Sequence, residues 1–88
     1  MNIEITARHF TPSEDLKAFV KEKVPKLLKY DPKINLIKVV LLKESRAEKV
    51  ELIVNSKNKQ YITNCYSSVF EKTILKAINN IKIQIIKK

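Results

Sequence analysis

Hydrophobic and polar residues alternate at the start of the chain. Over residues 2–8, Ile3, Ile5 and Ala7 fall on one side, and charged or hydroxyl side chains fall on the other. A period of two is typical of a strand with one buried face. The sequence therefore opens with a β-strand that ends near Arg8.

The next segment predicts an amphipathic helix. Its start is indicated by Thr11 as N-cap, Pro12 as first helical residue and Glu14 as the partner that closes a capping box. We therefore expect the helix to begin at residue 12. Pro25 lacks a backbone donor and crowds the preceding turn, which predicts a kink there or an end near residue 24, with a looser turn to Tyr30. The apolar stripe of the helix consists of Leu16, Phe19, Val20, Val24 and Leu27.

Three further strands are predicted in the middle of the chain. Residues 34–43 are branched and almost continuously hydrophobic, which indicates a central strand, and residues 50–54 alternate again. The polar segment 55–58 is typical of a hairpin turn, because asparagine tolerates positive φ, and residues 59–65 return as a fourth strand. The residues of this strand that are expected to face the core are Tyr61, Thr63 and Cys65.

The last segment predicts a second amphipathic helix. Apolar residues keep helical spacing for more than four turns, so Ser67 or Ser68 is expected to cap a helix that runs nearly to Lys88. Residues 81–86 taken alone are also compatible with a strand, but the longer pattern favours a helix. The core positions of this helix are Phe70, Ile74, Ala77, Ile78, Ile81 and Ile85.

The element order β-α-β-β-β-α predicts an α+β fold. Two helices are expected to cover one face of a four-stranded, mainly antiparallel sheet, and the other face is expected to meet solvent. The chain has 88 residues, the size of one small domain, so we expect residues 1–88 to form a single unit. It lacks a signal-sequence pattern and an apolar run long enough to span a bilayer, which predicts a cytoplasmic protein without a membrane partner.

The charge of the chain indicates a polyanionic partner. Eighteen lysine and arginine residues stand against nine aspartate and glutamate residues, a formal net charge of +9. Such an excess is typical of proteins that bind nucleic acid. A bias towards AT-rich codons is the alternative explanation for the many lysines, but glutamate also has AT-rich codons, so this bias does not by itself explain the excess of bases.

No residue pattern indicates catalysis or a bound cofactor. The chain has one cysteine, one histidine and no glycine, so it offers neither a zinc constellation nor a glycine-rich phosphate loop. The sequence places no carboxylate or nucleophile beside His9, and Cys65 is interpreted as a small buried hydrophobic residue. We expect a protein without enzymatic activity, metal, cofactor or small-molecule substrate.

Several stretches of the chain carry a family resemblance. The chain begins with MNIEITARH at residues 1–9 and continues with LKAFV at residues 16–20, Lys26, Tyr30 and VVL at residues 39–41. These stretches resemble the short form of the ribosome hibernation promoting factor and ribosome-associated translation inhibitor family, also called sigma-54 modulation proteins. The likeness extends over the whole chain and is most specific in its first half.

The second half departs from the family pattern. Family members carry an Asp-Met-Tyr type triplet where this chain has VFE at residues 69–71. They carry Lys-Leu-x-Arg-Gln-Leu where this chain has NIKIQI at residues 80–85, so that Gln84 is kept but the arginine is absent. The additional dimerisation domain of the long form is missing, so the resemblance implies a protein that is a monomer when free.

The resemblance implies a fold similar to that of double-stranded-RNA-binding domains, with one extra strand in front. It also implies a partner, the small ribosomal subunit and its rRNA, and inhibition of translation by occupation of the mRNA and tRNA channel under stress or in stationary phase. Folded RNA is recognised mainly through shape and phosphate contacts, which lysine supplies. The candidate RNA-binding residues are Arg8, His9, Lys23, Lys26, Lys82, Lys87 and Lys88. A solvated surface charge is the alternative interpretation of each.

A protein-interaction module is the alternative function. On a helical projection Leu75, Ile83 and Ile86 fall opposite the core face of the last helix, and an exposed apolar strip often marks a partner surface. Among the aromatic residues only Tyr66 is predicted to point outward from the sheet, so the sequence does not predict a platform of stacked aromatics.

Overall fold

The elements follow one another in the order β-α-β-β-β-α in a computed structural model that describes residues 1–87. The strands are β1 (Asn2–Arg8), β2 (Leu36–Lys43), β3 (Glu48–Asn55) and β4 (Gln60–Ser67). The helices are α1 (Glu14–Lys23), which continues into a 3₁₀-helix (Val24–Lys29), and α2 (Phe70–Ile86). The predicted α+β fold class is confirmed, and residues 81–86 are helical.

The sheet has the spatial order β1-β2-β3-β4. β1 and β2 are parallel, whereas β2, β3 and β4 are joined as antiparallel neighbours. A parallel pair needs a crossover connection, and α1 with the 3₁₀-helix supplies it. β2 and β3 are the two inner strands, which confirms the central position predicted from the hydrophobicity of β2. Neither helix in the described part of the chain is long and apolar enough to cross a bilayer.

Alternate residues of each strand form the core together with the apolar stripes of the helices. Tyr61 and Cys65 are buried, as predicted, and Thr63 is half-buried. Phe70 is buried, while Phe10 and Phe19 are half-buried against the core. The core residues contributed by the inner strands are Ile37, Val39, Leu41, Val50, Leu52 and Val54.

The start of α1 differs from the prediction. The helix begins at Glu14 instead of residue 12, and its N-cap is Ser13, whose Oγ accepts a hydrogen bond from the Leu16 N–H at 3.1 Å. Thr11 and Pro12 therefore precede the helix. Glu14 is the first helical residue, two positions too early to close the predicted capping box.

A tertiary contact explains this shift. Thr11 and Ser13 are both good N-cap residues by type, so the local sequence does not decide between them. Phe10 stacks on the ring of Phe70 in α2, and this contact fixes the segment between β1 and the helix. The other end of α1 matches its prediction, because the α-helix ends at Lys23 and Pro25 lies in the first turn of the 3₁₀-helix.

The start of α2 also differs from the prediction. Neither Ser67 nor Ser68 is its N-cap; that position is Val69, which has no side-chain acceptor. The N–H of Phe70 instead donates to Oε1 of Glu48 on β3 at 2.7 Å. Ser67 is the last residue of β4, and its hydroxyl donates to the Val69 carbonyl at 2.7 Å.

Side chains of α2 cover the outer edge of β4. The Lys76 ammonium donates to the Tyr66 carbonyl at 3.1 Å, and the Gln84 amide donates to the Ile62 carbonyl at 2.9 Å. Both acceptors are backbone groups of an edge strand that no further strand pairs with in the described sheet. The helix therefore satisfies part of an edge that would otherwise be open to another chain.

Candidate nucleic-acid interface

Charged residues lie at both ends of the sheet, and the two ends differ in their pattern of charge. β1 and β2 finish at one end, where the register pairs Lys43 with Glu48. The opposite end contains the start of β2, the turn 56–59 between β3 and β4, and the loop 31–35. Because α1 and α2 both begin at the first end, their C-terminal residues reach the second.

At the second end, lysines from separate segments surround one tyrosine. Tyr30 directly follows the 3₁₀-helix, and the Lys29 ammonium lies 6.0 Å from the centroid of its ring. The Lys82 ammonium, which comes from α2, lies 5.2 Å from the same centroid. Cations at this distance interact favourably with an aromatic ring. The Tyr30 ring thus interacts with lysines from two separate segments of the chain.

Three more lysines meet at a second tyrosine of the same end, Tyr61. Lys33 from the loop, with Lys57 and Lys59 from the hairpin turn, lines a concavity of about 330 Å³. Among the described residues, Asp31 alone contributes an acidic side chain to its lining. We call Lys29, Lys33, Lys57, Lys59 and Lys82 together the basic end.

Asp31 holds the loop and the hairpin turn together. Its Oδ1 accepts from the backbone N–H of Lys33 at 3.0 Å, and its Oδ2 accepts from the Tyr61 hydroxyl at 3.4 Å. Burial raises the pKa of Tyr61, and the negative charge of Asp31 and this hydrogen bond raise it further. The carboxylate therefore positions the lysines around it.

The first end of the sheet has a different charge pattern. Lys43 forms an ion pair with Glu48 at 3.9 Å, and Lys49 forms one with Glu44 at 3.0 Å. We call these four residues the paired end. Opposite charges at such distances cancel much of each other's field beyond the first few ångströms. These two pairs therefore add no net charge to this end of the sheet.

The predicted lysine sites are distributed over α1, the 3₁₀-helix and α2. Lys82 belongs to the basic end, and Lys26 and Lys87 are exposed on elements that reach it. Lys23 forms an ion pair with Glu22 at 3.3 Å and lies over the ring of Phe19. The predicted site at residue 88 lies outside the described residues.

The structure does not place Arg8 and His9 with these lysines. Both are exposed where β1 ends, on the side of the paired end. His9 has a φ of 74°, which is uncommon for a residue other than glycine. The six predicted residues that the structure describes therefore do not form one continuous surface.

Four residues of the basic end were not singled out from the sequence, namely Lys29, Lys33, Lys57 and Lys59. A signal for them exists, because all four flank turns predicted from aspartate, proline and asparagine. The two turns come together because β2 pairs with β3. The sequence pattern does not specify this pairing.

The predicted apolar residues of α2 are exposed. Leu75, Ile83 and Ile86 are 48%, 42% and 61% exposed, respectively, which confirms their position opposite the core. Lys82 lies on the same side of the helix. This side of α2 thus combines apolar and cationic groups.

Two solved structures have the same fold. A ribosomal subunit interface protein from Coxiella burnetii has a TM-score of 0.92 at 17% sequence identity, and the match covers 99% of this chain and 96% of that one. The N-terminal domain of Protein Y from Thermus thermophilus has a TM-score of 0.88 at 19% identity, with 99% and 98% covered. At these identities the likeness shows the fold. No curated protein sequence matches the chain significantly.

A sequence profile extends the likeness to the family level. The family described as sigma 54 modulation protein / S30EA ribosomal protein matches residues 3–88, including the half that departs from the usual motifs. It is a family of ribosome-associated proteins and not a class of enzymes. The chain therefore belongs to the sigma-54 modulation protein and S30EA ribosomal protein family.

Proposed function

We propose that this protein is a cytoplasmic translation inhibitor that binds the small ribosomal subunit as a monomer, with the basic end against rRNA phosphates. Membership of a ribosome-associated family supports a ribosomal partner. The observation that carries the proposal is the convergence of five lysines from a 3₁₀-helix, a loop, a hairpin turn and a helix.

The chemistry of the basic end fits rRNA. Lysine ammonium groups contact phosphates as point charges without reading bases, which suits recognition of a folded RNA by shape. Each phosphate contact releases condensed counterions, so affinity falls as salt rises. Five to eight contacts correspond to a slope of about −4 to −7 in a plot of log affinity against log salt.

Inhibition by this protein requires no chemical step. The domain measures 36 × 22 × 17 Å, so one bound copy excludes other macromolecules from the volume it fills. We propose that this volume lies in the channel for mRNA and tRNA, and that the protein acts there in stressed or stationary cells.

Co-sedimentation with purified small subunits at several salt concentrations tests the binding step. A variant with Lys57, Lys59 and Lys82 changed to Gln should lose more than tenfold in affinity, and its salt slope should become shallower by about 2 to 3. The matched control changes Lys17, Lys43 and Arg46 to Gln, which removes the same charge away from the basic end. The affinity of the control for small subunits should be within about twofold of that of the unmodified protein. Equal losses in both variants would show that only net charge matters.

Competition tests the occlusion step. Pre-formed complexes of the protein with small subunits are titrated with mRNA and tRNA, and bound protein is followed by sedimentation. Because two molecules do not fill one channel, both ligands together should displace the protein. Simultaneous retention of mRNA, tRNA and protein would exclude occlusion while leaving ribosome binding intact.

A second candidate function is supported by the apolar residues of α2. The exposure of Leu75, Ile83 and Ile86 is compatible with a protein partner on this face. Light scattering at low and high salt distinguishes the two functions, because an apolar surface promotes self-association that salt does not relieve. Binding to RNA phosphates weakens as salt rises.

A further inference from the structure

The open face of the sheet contains a second concavity, far from the basic end. Its volume is about 460 Å³, which is in the range of small-ligand sites. Strand register places Arg8, Leu42, Lys49 and Tyr66 in one row across all four strands. The next row contains Val40, Glu51 and Asn64. We call this concavity, which the buried residues Val50 and Cys65 also line, the sheet pocket.

The sheet pocket has an apolar floor and an aromatic wall. Val40 and Leu42 are only half-buried although they lie on an inner strand, so they present apolar surface to solvent. Tyr66 on the edge strand is 66% exposed. An exposed tyrosine beside branched apolar side chains is a surface on which the flat face of a nucleobase stacks.

Two charged groups of the sheet pocket, Arg8 and Glu51, are not used by the fold. Within residues 1–87, neither Arg8 nor Glu51 takes part in an ion pair or a side-chain hydrogen bond. Glu51 is half-buried and lies next to Val40 across the strand pair. A carboxylate beside apolar groups loses hydration without gaining a partner, which is unfavourable unless a ligand supplies donors.

We propose that the sheet pocket binds a guanine nucleotide, either as an unpaired residue of RNA or as a free nucleotide. An ionised carboxylate is an acceptor only, so Glu51 selects a base that presents donors. Guanine presents two adjacent donors, N1–H and the N2 amino group, which match the two oxygens of one carboxylate. Adenine presents an acceptor nitrogen beside its single amino group, and this nitrogen repels the carboxylate.

The remaining polar groups complete the recognition of a nucleotide. The Arg8 guanidinium is at the opposite edge of the sheet from Tyr66, where it can form a bidentate contact with a phosphate. Lys49 lies in the same row, but its ammonium is paired with Glu44 at 3.0 Å, so Arg8 is the group that meets the phosphate. The amide of Asn64 offers both a donor and an acceptor beside Glu51. This site does not depend on the proposed ribosome binding, because it is on the open sheet face and a free nucleotide suffices to fill it.

Titration of the full-length protein with GMP and AMP, followed by backbone amide NMR shifts, tests the proposal. GMP should shift the amides around Tyr66, Asn64 and Arg8 and should bind at least tenfold more tightly than AMP. The variant Glu51→Gln should lose at least tenfold in affinity for GMP and should keep its affinity for AMP. The matched control Glu4→Gln, on the same sheet face but outside the pocket, should bind GMP as the unmodified protein does.

Two further measurements assign the roles of the side chains and the source of the ligand. Tyr66→Ala should weaken both nucleotides, whereas Arg8→Gln should weaken GMP but not guanosine, which lacks the phosphate. An oligouridine with one central guanine should bind better than GMP if the ligand is an RNA residue, and no better if it is a free nucleotide. Thermal melting of each variant verifies that it is folded. Equal binding of GMP and AMP, an unchanged Glu51→Gln variant, or no binding of any guanine ligand would overturn the proposal.

Discussion

Phe10 and Phe70 stack with their ring centroids 5.0 Å apart and their planes inclined by 14°. Phe10 follows β1, and Phe70 is the first residue of α2, so the contact joins the two places where a strand gives way to a helix. Because Phe10 precedes α1 and Phe70 begins α2, the stacked rings link the segments that lead into the two helices.

Mutation of this pair should show coupling. Phe70 is buried, so Phe70→Ala should lower the free energy of unfolding by about 3–5 kcal/mol. Phe10 is half-buried, so Phe10→Ala should cost about 1–2 kcal/mol. Urea denaturation of both single variants and the double variant should give a coupling energy of about 0.5–1.5 kcal/mol. Strict additivity would mean that the stacking contributes nothing beyond burial.

The backbone of His9 leads to a second prediction. Its φ of 74° is readily adopted by glycine, but in other residues the β-carbon comes close to the following carbonyl oxygen. His9→Gly should therefore leave the melting temperature unchanged or raise it, whereas His9→Val should be less stable than His9→Gly by about 1–2 kcal/mol. If the valine variant were as stable as the glycine variant, the turn would have changed its conformation.

The carboxylate of Glu48 is expected to stabilise α2. Its Oε1 accepts from the Phe70 N–H at 2.7 Å, and its negative charge lies at the positive end of the helix dipole. Glu48→Ala should lower the free energy of unfolding, measured by urea denaturation, by about 1–2 kcal/mol, as the loss of an N-cap does. Glu48→Gln should lower it less, because the amide oxygen still accepts the hydrogen bond. Lys43→Gln is the control for the ion pair of Glu48. Its free energy of unfolding should be within about 0.5 kcal/mol of that of the unmodified protein.

The pH dependence of stability should reveal Tyr61. Burial raises its pKa in the folded protein, and the charge and hydrogen bond of Asp31 add to this effect. The unfolded chain therefore releases the tyrosine proton first, so stability should be unaffected below pH ~10 and should fall as the pH rises above it. Urea denaturation at several alkaline pH values should show this fall in the unmodified protein and a smaller one in Tyr61→Phe. A steeper fall in the variant would contradict the raised pKa.

Periodicity was sufficient to predict the type and order of the main elements, because strands and helices differ in the spacing of their buried residues. It did not predict the N-terminus of either helix. At α1 the position depends on the stacking of Phe10, and at α2 it depends on a carboxylate from β3. Both contacts join residues that are distant in the chain, so no local pattern contains them.

The candidate interface was only partly predictable for the same reason. Lys82 was found through the family resemblance, and its place beside Tyr30 agrees with a role at a charged surface. Lys33 and Lys57 come together only because the loop before β2 meets the hairpin turn after β3. Arg8 was predicted to contact RNA together with Lys82, but the direction of β1 puts Arg8 at the other end of the sheet.

The separation of the basic end from the paired end gives the molecule an electric dipole along the direction of its strands. Near a polyanion such a dipole experiences a torque, which turns the lysine-rich end forward before any contact forms. At physiological ionic strength this acts over a Debye length of about 8 Å, so it affects encounters in the last steps of approach. The uneven placement of the +9 charge should therefore raise the rate of association in one orientation, whereas an evenly spread charge of the same size would attract without orienting.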